Sequence, residues 1–193
     1  MGRLILIRHG ESAGNRERRF TPHPEIPLTD LGREQARAAA AHIREGFAPS
    51  RIVSSPLVRA RQTAVILSEI LALEVGVEHD LRERDMGEFA GQLYAAPRPG
   101  FDPAAWWEWR PPGGETLAEV AVRAGRALDR IAAAAPREDV VVVSHGGVML
   151  ALVRHLTGAW GEGRVARNAE ILVAGHDGNG YWTLDAMPGM KRA

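Results

Sequence analysis

The sequence has no cysteine, which excludes disulfides, thiolate nucleophiles and thiolate metal sites. Lysine is almost absent too: Lys191 is the only one, and every other basic residue is arginine. Positive and negative residues balance to a net charge of zero, so bulk electrostatics give no reason to expect nucleic acid or an anionic membrane as partner. No apolar run approaches the length of a membrane span. The opening Met1-Gly2-Arg3-Leu4-Ile5-Leu6-Ile7 passes at once into Arg8-His9, without the apolar length or small-residue cleavage site of a signal peptide. The expected location is cytoplasmic. There is no G-x-x-x-x-G-K-[ST] loop and no serine in a G-x-S-x-G elbow, which removes P-loop nucleotide hydrolysis and elbow-serine hydrolysis.

What remains is an ordinary globular composition, 45% hydrophobic and 25% charged, over 193 residues. That length suits one domain, 1–193, with a substantial core. Leu4 to Ile7 reads as a buried strand, and Arg51 to Ser54 as a second. Thr29 is placed to cap an Ala-rich helix ending near Gly46, and a further helix covers Arg59 to Leu73, with Pro56 where it could begin. Glu74 to Glu78 is a weaker strand. Glu115 to Ala135 reads as a helix, and Val140 to Val143, four consecutive valines, as a strand buried on both faces. A helix from about Val148 to Leu156 follows. Ile171 to Ala174 and Tyr181 to Leu184 fit a closing hairpin around Asp177-Gly178-Asn179-Gly180. Strands alternating with helices predict an α/β fold, a three-layer α/β/α sandwich with a mostly parallel central sheet. Between Leu81 and Gly114 the pattern breaks, with five prolines and Trp106, Trp107 and Trp109. We read about 84–114 as an insertion over the active site, its tryptophans serving either as a substrate lid or as core packing.

Two places share one design: a buried strand, then histidine, then glycine, in Ile7-Arg8-His9-Gly10-Glu11-Ser12 and Val143-Ser144-His145-Gly146-Gly147. Ligands of open α/β sheets bind at the carboxyl ends of strands, where the next turn presents backbone N–H groups. Two histidines so placed can converge on one pocket, and the glycines would let backbone approach a ligand. Arg8 adjoins His9, and Arg59 follows the strand ending in Ser54-Ser55-Pro56. Two guanidinium groups and two imidazoles make a set of donors suited to a phosphoryl group. With cysteine absent, histidine is a competent nucleophile near neutral pH. Glu83 is a candidate proton donor for the leaving oxygen, its competing reading being an ion pair with Arg82 or Arg84.

Arg8-His9-Gly10-Glu11-Ser12 followed by Asn15 resembles the signature of the histidine phosphatase superfamily, which includes the cofactor-dependent phosphoglycerate mutases. The likeness runs in order through Pro27-Leu28-Thr29 with Gly32, Ser54-Ser55-Pro56 with Arg59 and Gln62-Thr63-Ala64, Leu81-Arg82-Glu83 with Gly87 and Gly91, Gly113-Gly114-Glu115-Thr116, and Ser144-His145-Gly146-Gly147. It implies a three-layer fold with a mostly parallel sheet, and His9 as the phosphorylated residue. Arg8, Asn15, Arg59, His145 and the backbone N–H of Gly146 become phosphate ligands. Glu83 becomes the proton donor and then the base that activates water. Thr21, in the loop after Asn15, is assigned to substrate binding.

The sequence departs from the mutases at specific places. Their tyrosine after the glutamate and their later lysine are replaced by Met86 and Tyr94, and Pro22 stands in the loop that carries a glycine. Their paired arginines are not evident, though Arg98 or Arg110 could substitute. The expected activity is therefore phosphomonoester hydrolysis on a small organic phosphate through a phosphohistidine. The alternatives are mutase-type phosphoryl transfer and a non-catalytic phosphate-binding module. No cofactor and no metal site are expected, the spacing of His9, His145, Glu83 and Asp85 matching no metal motif. The expected partner is a small-molecule phosphate ester, with no nucleic acid and no membrane. Oligomeric state is open, a homodimer being one option.

Overall fold

The computed structural model describes residues 1–21, 25–160, 163–177 and 180–186. Six strands form one sheet: β1 (Gly2–Arg8), β2 (Pro49–Ser54), β3 (Val75–Val77), β4 (Asp139–Ser144), β5 (Ile171–His176) and β6 (Tyr181–Ala186). Their order is β3-β2-β4-β1-β5-β6. The first four of that order run parallel, and β5 is antiparallel to both β1 and β6. The helices are α1 (Ala13–Arg16), α2 (Asp30–Gly46), α3 (Val58–Leu71), α4 (Leu117–Ala133) and α5 (Gly146–Thr157). None is long and apolar enough to cross a membrane.

The middles of the central strands, Leu4 to Ile7 of β1 and Val140 to Val143 of β4, are continuously apolar because both faces are covered. On one face Leu4, Leu6, Val140 and Val142 pack with Leu128 and Ile131 of α4 and Met149 and Leu152 of α5. On the other, Ile5, Ile7, Val141 and Val143 pack with Ala36, Ala40 and Ile43 of α2 and Ala60, Ala64 and Leu67 of α3. Alternation along each strand thus feeds two hydrophobic layers, which makes the three-layer α/β/α sandwich.

The expected elements form with small shifts that have local causes. Thr29 caps α2 as expected, its hydroxyl accepting from Gly32 N. Thr116 and Glu119 form a reciprocal capping box, so α4 begins at Leu117 and not at Glu115. Leu57 precedes α3, which starts two residues beyond Pro56. The last expected helix starts at Gly146, not Val148, because His145 itself is the extended N-cap residue. The short α1 was not anticipated; Ser12 and Asn15 close its capping box. The Leu81–Gly114 stretch contains two short 3₁₀ turns, Gly87–Phe89 and Pro103–Ala105, and is otherwise irregular. The closing hairpin forms as β5 and β6. Its turn residues Gly178 and Asn179, and Pro22 and Pro24 of the substrate loop, lie outside the described residues.

Candidate active site

Three neighbouring parallel strands end side by side, and each hands a polar residue to the same place. Arg8 of β1 pairs in register with Ser144 of β4, so the next residues, His9 and His145, are neighbours. His9 N donates to Ser144 O at 2.9 Å, and Ser55 N, just past β2, donates to Val143 O at 2.9 Å. The two imidazole centroids lie 5.1 Å apart, edge to face, and both rings are buried.

His9 is oriented from both sides. Its Nδ1 lies 2.6 Å from the carbonyl of Gly10, which can only accept, so that nitrogen carries the proton. Its Nε2 then accepts from Arg59 Nε at 3.2 Å. Burial first, and the charges of Arg59 and Arg8 second, hold the ring well below the usual imidazole pKa, so it is neutral. His145 is held down in the same direction by burial and then Arg59. Its Nε2 meets Ser55 Oγ at 2.7 Å, and its buried Nδ1 has no partner among the described residues.

Arg59 sits in the first turn of α3 at only 2% exposure, with Nη1 unpartnered among the described residues. Arg8 donates Nη1 to Ala166 O at 2.6 Å, and its buried Nε is likewise unpartnered. Burial lowers the pKa of both guanidinium groups, and Glu83 offsets part of that shift. Glu83 does not form the ion pair with Arg82 or Arg84 that was the competing reading of it. Its Oε1 accepts the backbone N–H of Arg84 at 2.9 Å, and its Oε2 lies 3.4 Å from Gly147 N. A Cβ on Gly147 would come within 2.6 Å of Glu83 Oε1, so that glycine makes room for the carboxylate.

A cavity of about 580 Å³ joins these groups. Arg8, His9, Asn15, Thr21, Arg59, Glu83 and Gly146 all line it, while His145 stands behind His9. The structure therefore brings all eight sequence-assigned residues to one place. The glycine after His9 does not serve to bring backbone close to a ligand, as the sequence suggested. A Cβ on Gly10 would fall 2.2 Å from Gly32 O, so Gly10 admits the backbone of α2 and not a ligand. Arg110 also falls away from the site, pairing on the surface with Glu119, whereas Arg98 lines the cavity. Met86 and Tyr94 line it too, an uncharged pair.

Several residues at the site carried no assignment. Asn168 donates to His9 O at 3.1 Å and to Asn15 Oδ1 at 2.9 Å, clamping two assigned residues together. Thr63 accepts from Gly10 N at 3.1 Å, and Tyr94 Oη accepts from Asn15 Nδ2 at 3.1 Å. Ser55 and Thr63 belong to the Ser54-Ser55-Pro56 and Gln62-Thr63-Ala64 motifs, whose sequence alone gave them no role. Asn168 had no local signal, because only the pairing of β5 with β1 sets it beside His9. The tryptophans pack on other aromatic rings, and two of them also reach the cavity. Trp109 packs edge to face on Phe89 and Phe101, Trp107 stacks on Trp160, and Trp106 and Trp109 also wall the cavity.

The model of the histidine phosphatase superfamily (branch 1) matches residues 4–187. The chain belongs to that superfamily. A glucosyl-3-phosphoglycerate phosphatase of Mycobacterium tuberculosis is 38% identical over 164 residues, 78% of this chain and 73% of that protein. Phosphoglycerate mutase-like protein 4 of Arabidopsis thaliana is 35% identical over 158 residues, 77% of this chain and 68% of its own length. The solved structure of a mycobacterial glucosyl-3-phosphoglycerate phosphatase with VO3 superposes with a TM-score of 0.84 at 32% identity, covering 96% of this chain and 98% of that one. Other mycobacterial relatives are longer, and the match spans 41% of their length. Membership and its phosphatase relatives make this histidine phosphatase a phosphomonoesterase.

Proposed function

We propose that the protein hydrolyses a small organic phosphomonoester through a phosphohistidine on His9, with Arg8, Arg59, Glu83 and His145 as catalytic groups and Asn15, Thr21 and Gly146 binding substrate. The observation that carries this is the fixed tautomer of His9: Nδ1–H is tied to Gly10 O, and Nε2 is the nitrogen beside the buried Arg59. Nε2 attacks phosphorus as the ester P–O bond breaks, and Glu83 gives its proton to the departing oxygen. Arg59 exchanges its bond to Nε2 for one to a phosphoryl oxygen. Arg8 and the N-terminal turn of α5 at Gly146 meet the remaining charge. Ser55 Oγ accepts Leu57 N at 3.3 Å, which suits its own proton going to His145 Nε2 and leaves His145 Nδ1–H as a donor. Water then attacks phosphorus, Glu83 takes its proton, and the P–N bond breaks to release phosphate and neutral His9.

Residues 84–114 act as an insertion over this site within one domain, since Arg84, Met86, Tyr94, Arg98 and Trp109 all face the cavity. Water is the acceptor in this reading because Met86 and Tyr94 stand where the mutases have a tyrosine and a lysine, and Arg98 is the one candidate substitute grip of the two that lines the cavity. The test is brief reaction with a ³²P-labelled ester in excess chelator. Acid-labile, alkali-stable label is expected on the protein, and none on His9→Ala. Label retained by His9→Ala, or found on serine, overturns the mechanism. Isomerisation of 3-phosphoglycerate outrunning ester hydrolysis overturns the choice of water.

A further inference from the structure

The cavity holds more positive charge than one phosphoryl group uses. Four guanidinium groups line it, from Arg8, Arg59, Arg84 and Arg98, against a single carboxylate, Glu83. A bound phosphomonoester dianion leaves at least one positive charge unmatched, and two when Glu83 carries the proton it donates. Arg98 is where that charge is least committed. Its guanidinium lies 5.6 Å from the Phe20 ring, 5.3 Å from Phe101 and 5.7 Å from Trp109. Its Nη2 donates to Tyr94 O at 3.0 Å, and no carboxylate among the described residues pairs with it. Arg84, by contrast, is spent on two backbone carbonyls, Glu115 O at 2.7 Å and Trp109 O at 2.5 Å. Burial, with Arg98 adding to it, brings the Arg84 pKa down to about 10, so the two cations feel each other across the wall.

A guanidinium held between aromatic faces keeps its edge for planar anions, and a carboxylate fits that edge in a fork. The aromatic faces themselves favour an apolar or ring-shaped body between the two ends of a substrate. Tyr94 links the ends. Its carbonyl accepts from Arg98 while its hydroxyl accepts from Asn15 Nδ2.

We infer that Arg98 is a second anion subsite, and that the enzyme selects phosphomonoesters whose organic part carries a carboxylate beyond the phosphate. This rests on the phosphatase reading above and adds a substrate class to it. The probes are three matched aryl esters: 4-carboxyphenyl, 4-carbamoylphenyl and 4-(aminomethyl)phenyl phosphate, carrying an anion, a neutral group and a cation on one body. The wild-type kcat/KM should fall in that order, with the anion ahead of the neutral ester by about ten- to hundredfold, mostly in KM. Arg98→Met should bring the anion-to-neutral ratio close to one, and Arg98→Lys should restore part of it. A merely structural role would lower all three esters and keep their ratio. A wild-type ratio near one, or a ratio unchanged in Arg98→Met, overturns the subsite while leaving the phosphatase reading intact. Failure of the wild type to hydrolyse any of the three overturns both.

Discussion

His9 combines a fixed proton on Nδ1 with a depressed basicity at Nε2, and both follow from its neighbours. The sign for pH dependence is direct. A lowered folded pKa keeps the imidazole neutral, and so nucleophilic, below the ordinary histidine value of about 6.5. Phosphoenzyme formation should therefore persist into mildly acidic solution and fall only as pH drops through the lowered value. Single-turnover labelling against pH checks this; an acid limb at or above the ordinary value contradicts it. Stability follows the same groups. The unfolded chain binds protons at His9 and His145 before the folded one, so stability should decline as pH falls from about 6.5 toward the folded values. Glu83 gives a second prediction. If it protonates the leaving oxygen, Glu83→Gln should slow alkyl phosphates by about 10²–10⁴ and aryl phosphates far less. Equal loss on both would assign it to another step. At this scale the sequence was legible where a residue sits next to a strand end, as His9, His145 and Arg8 do. Asn168, and the bond of Tyr94 to Asn15, were not, because distant chain segments bring them in.

Among elements, the site depends on how the loop bearing Glu83 is anchored to α4. Arg123 of α4 donates to the carbonyls of Asp80, Arg82 and Glu83 at 2.6, 2.9 and 3.2 Å. It also grips both carboxylate oxygens of Glu115 at 2.9 and 2.7 Å. Glu115 in turn accepts from Asp85 N at 3.0 Å, so the chain is held on both sides of Glu83. Arg123 touches no substrate; it is a positioning residue. Arg123→Met should lower kcat for alkyl phosphates by roughly tenfold or more while sparing aryl phosphates, copying the Glu83 pattern. Arg123→Lys should recover part of it. A uniform loss on both esters would mean the clasp only stabilises the fold. Strand and helix positions were legible because hydrophobic period and capping residues are local. This clasp was not, since Arg123 reads as one more arginine on an amphipathic helix and its partners are set by the irregular loop.

For the molecule as a whole, zero net charge conceals an uneven distribution: the core end of the cavity is positive and desolvated. Arg59 is almost fully buried, has an unpartnered nitrogen, and makes no carboxylate pair among the described residues. Burying a cation in this way costs several kcal/mol even after relaxation, whereas its bond to His9 Nε2 returns only about 1.5–3 kcal/mol. Desolvation is the larger effect, so function is held here against stability. Arg59→Met keeps the apolar stem and removes the charge. It should raise the unfolding midpoint of the ligand-free protein by a few degrees, about 1–2 kcal/mol. The same change should cut hydrolysis by about 10²–10³, since a preorganised donor to the phosphoryl oxygens is gone. Ligand response separates the two effects. An oxyanion such as vanadate that binds only the folded wild type should stabilise it by about 2.7 kcal/mol at a hundred times its dissociation constant. Arg59→Met should show little of that shift. Thermal unfolding of both proteins, with and without vanadate, decides it: a variant less stable than wild type without ligand, or one that responds equally to vanadate, would show that Arg59 is part of the fold's support and not a strained phosphate ligand.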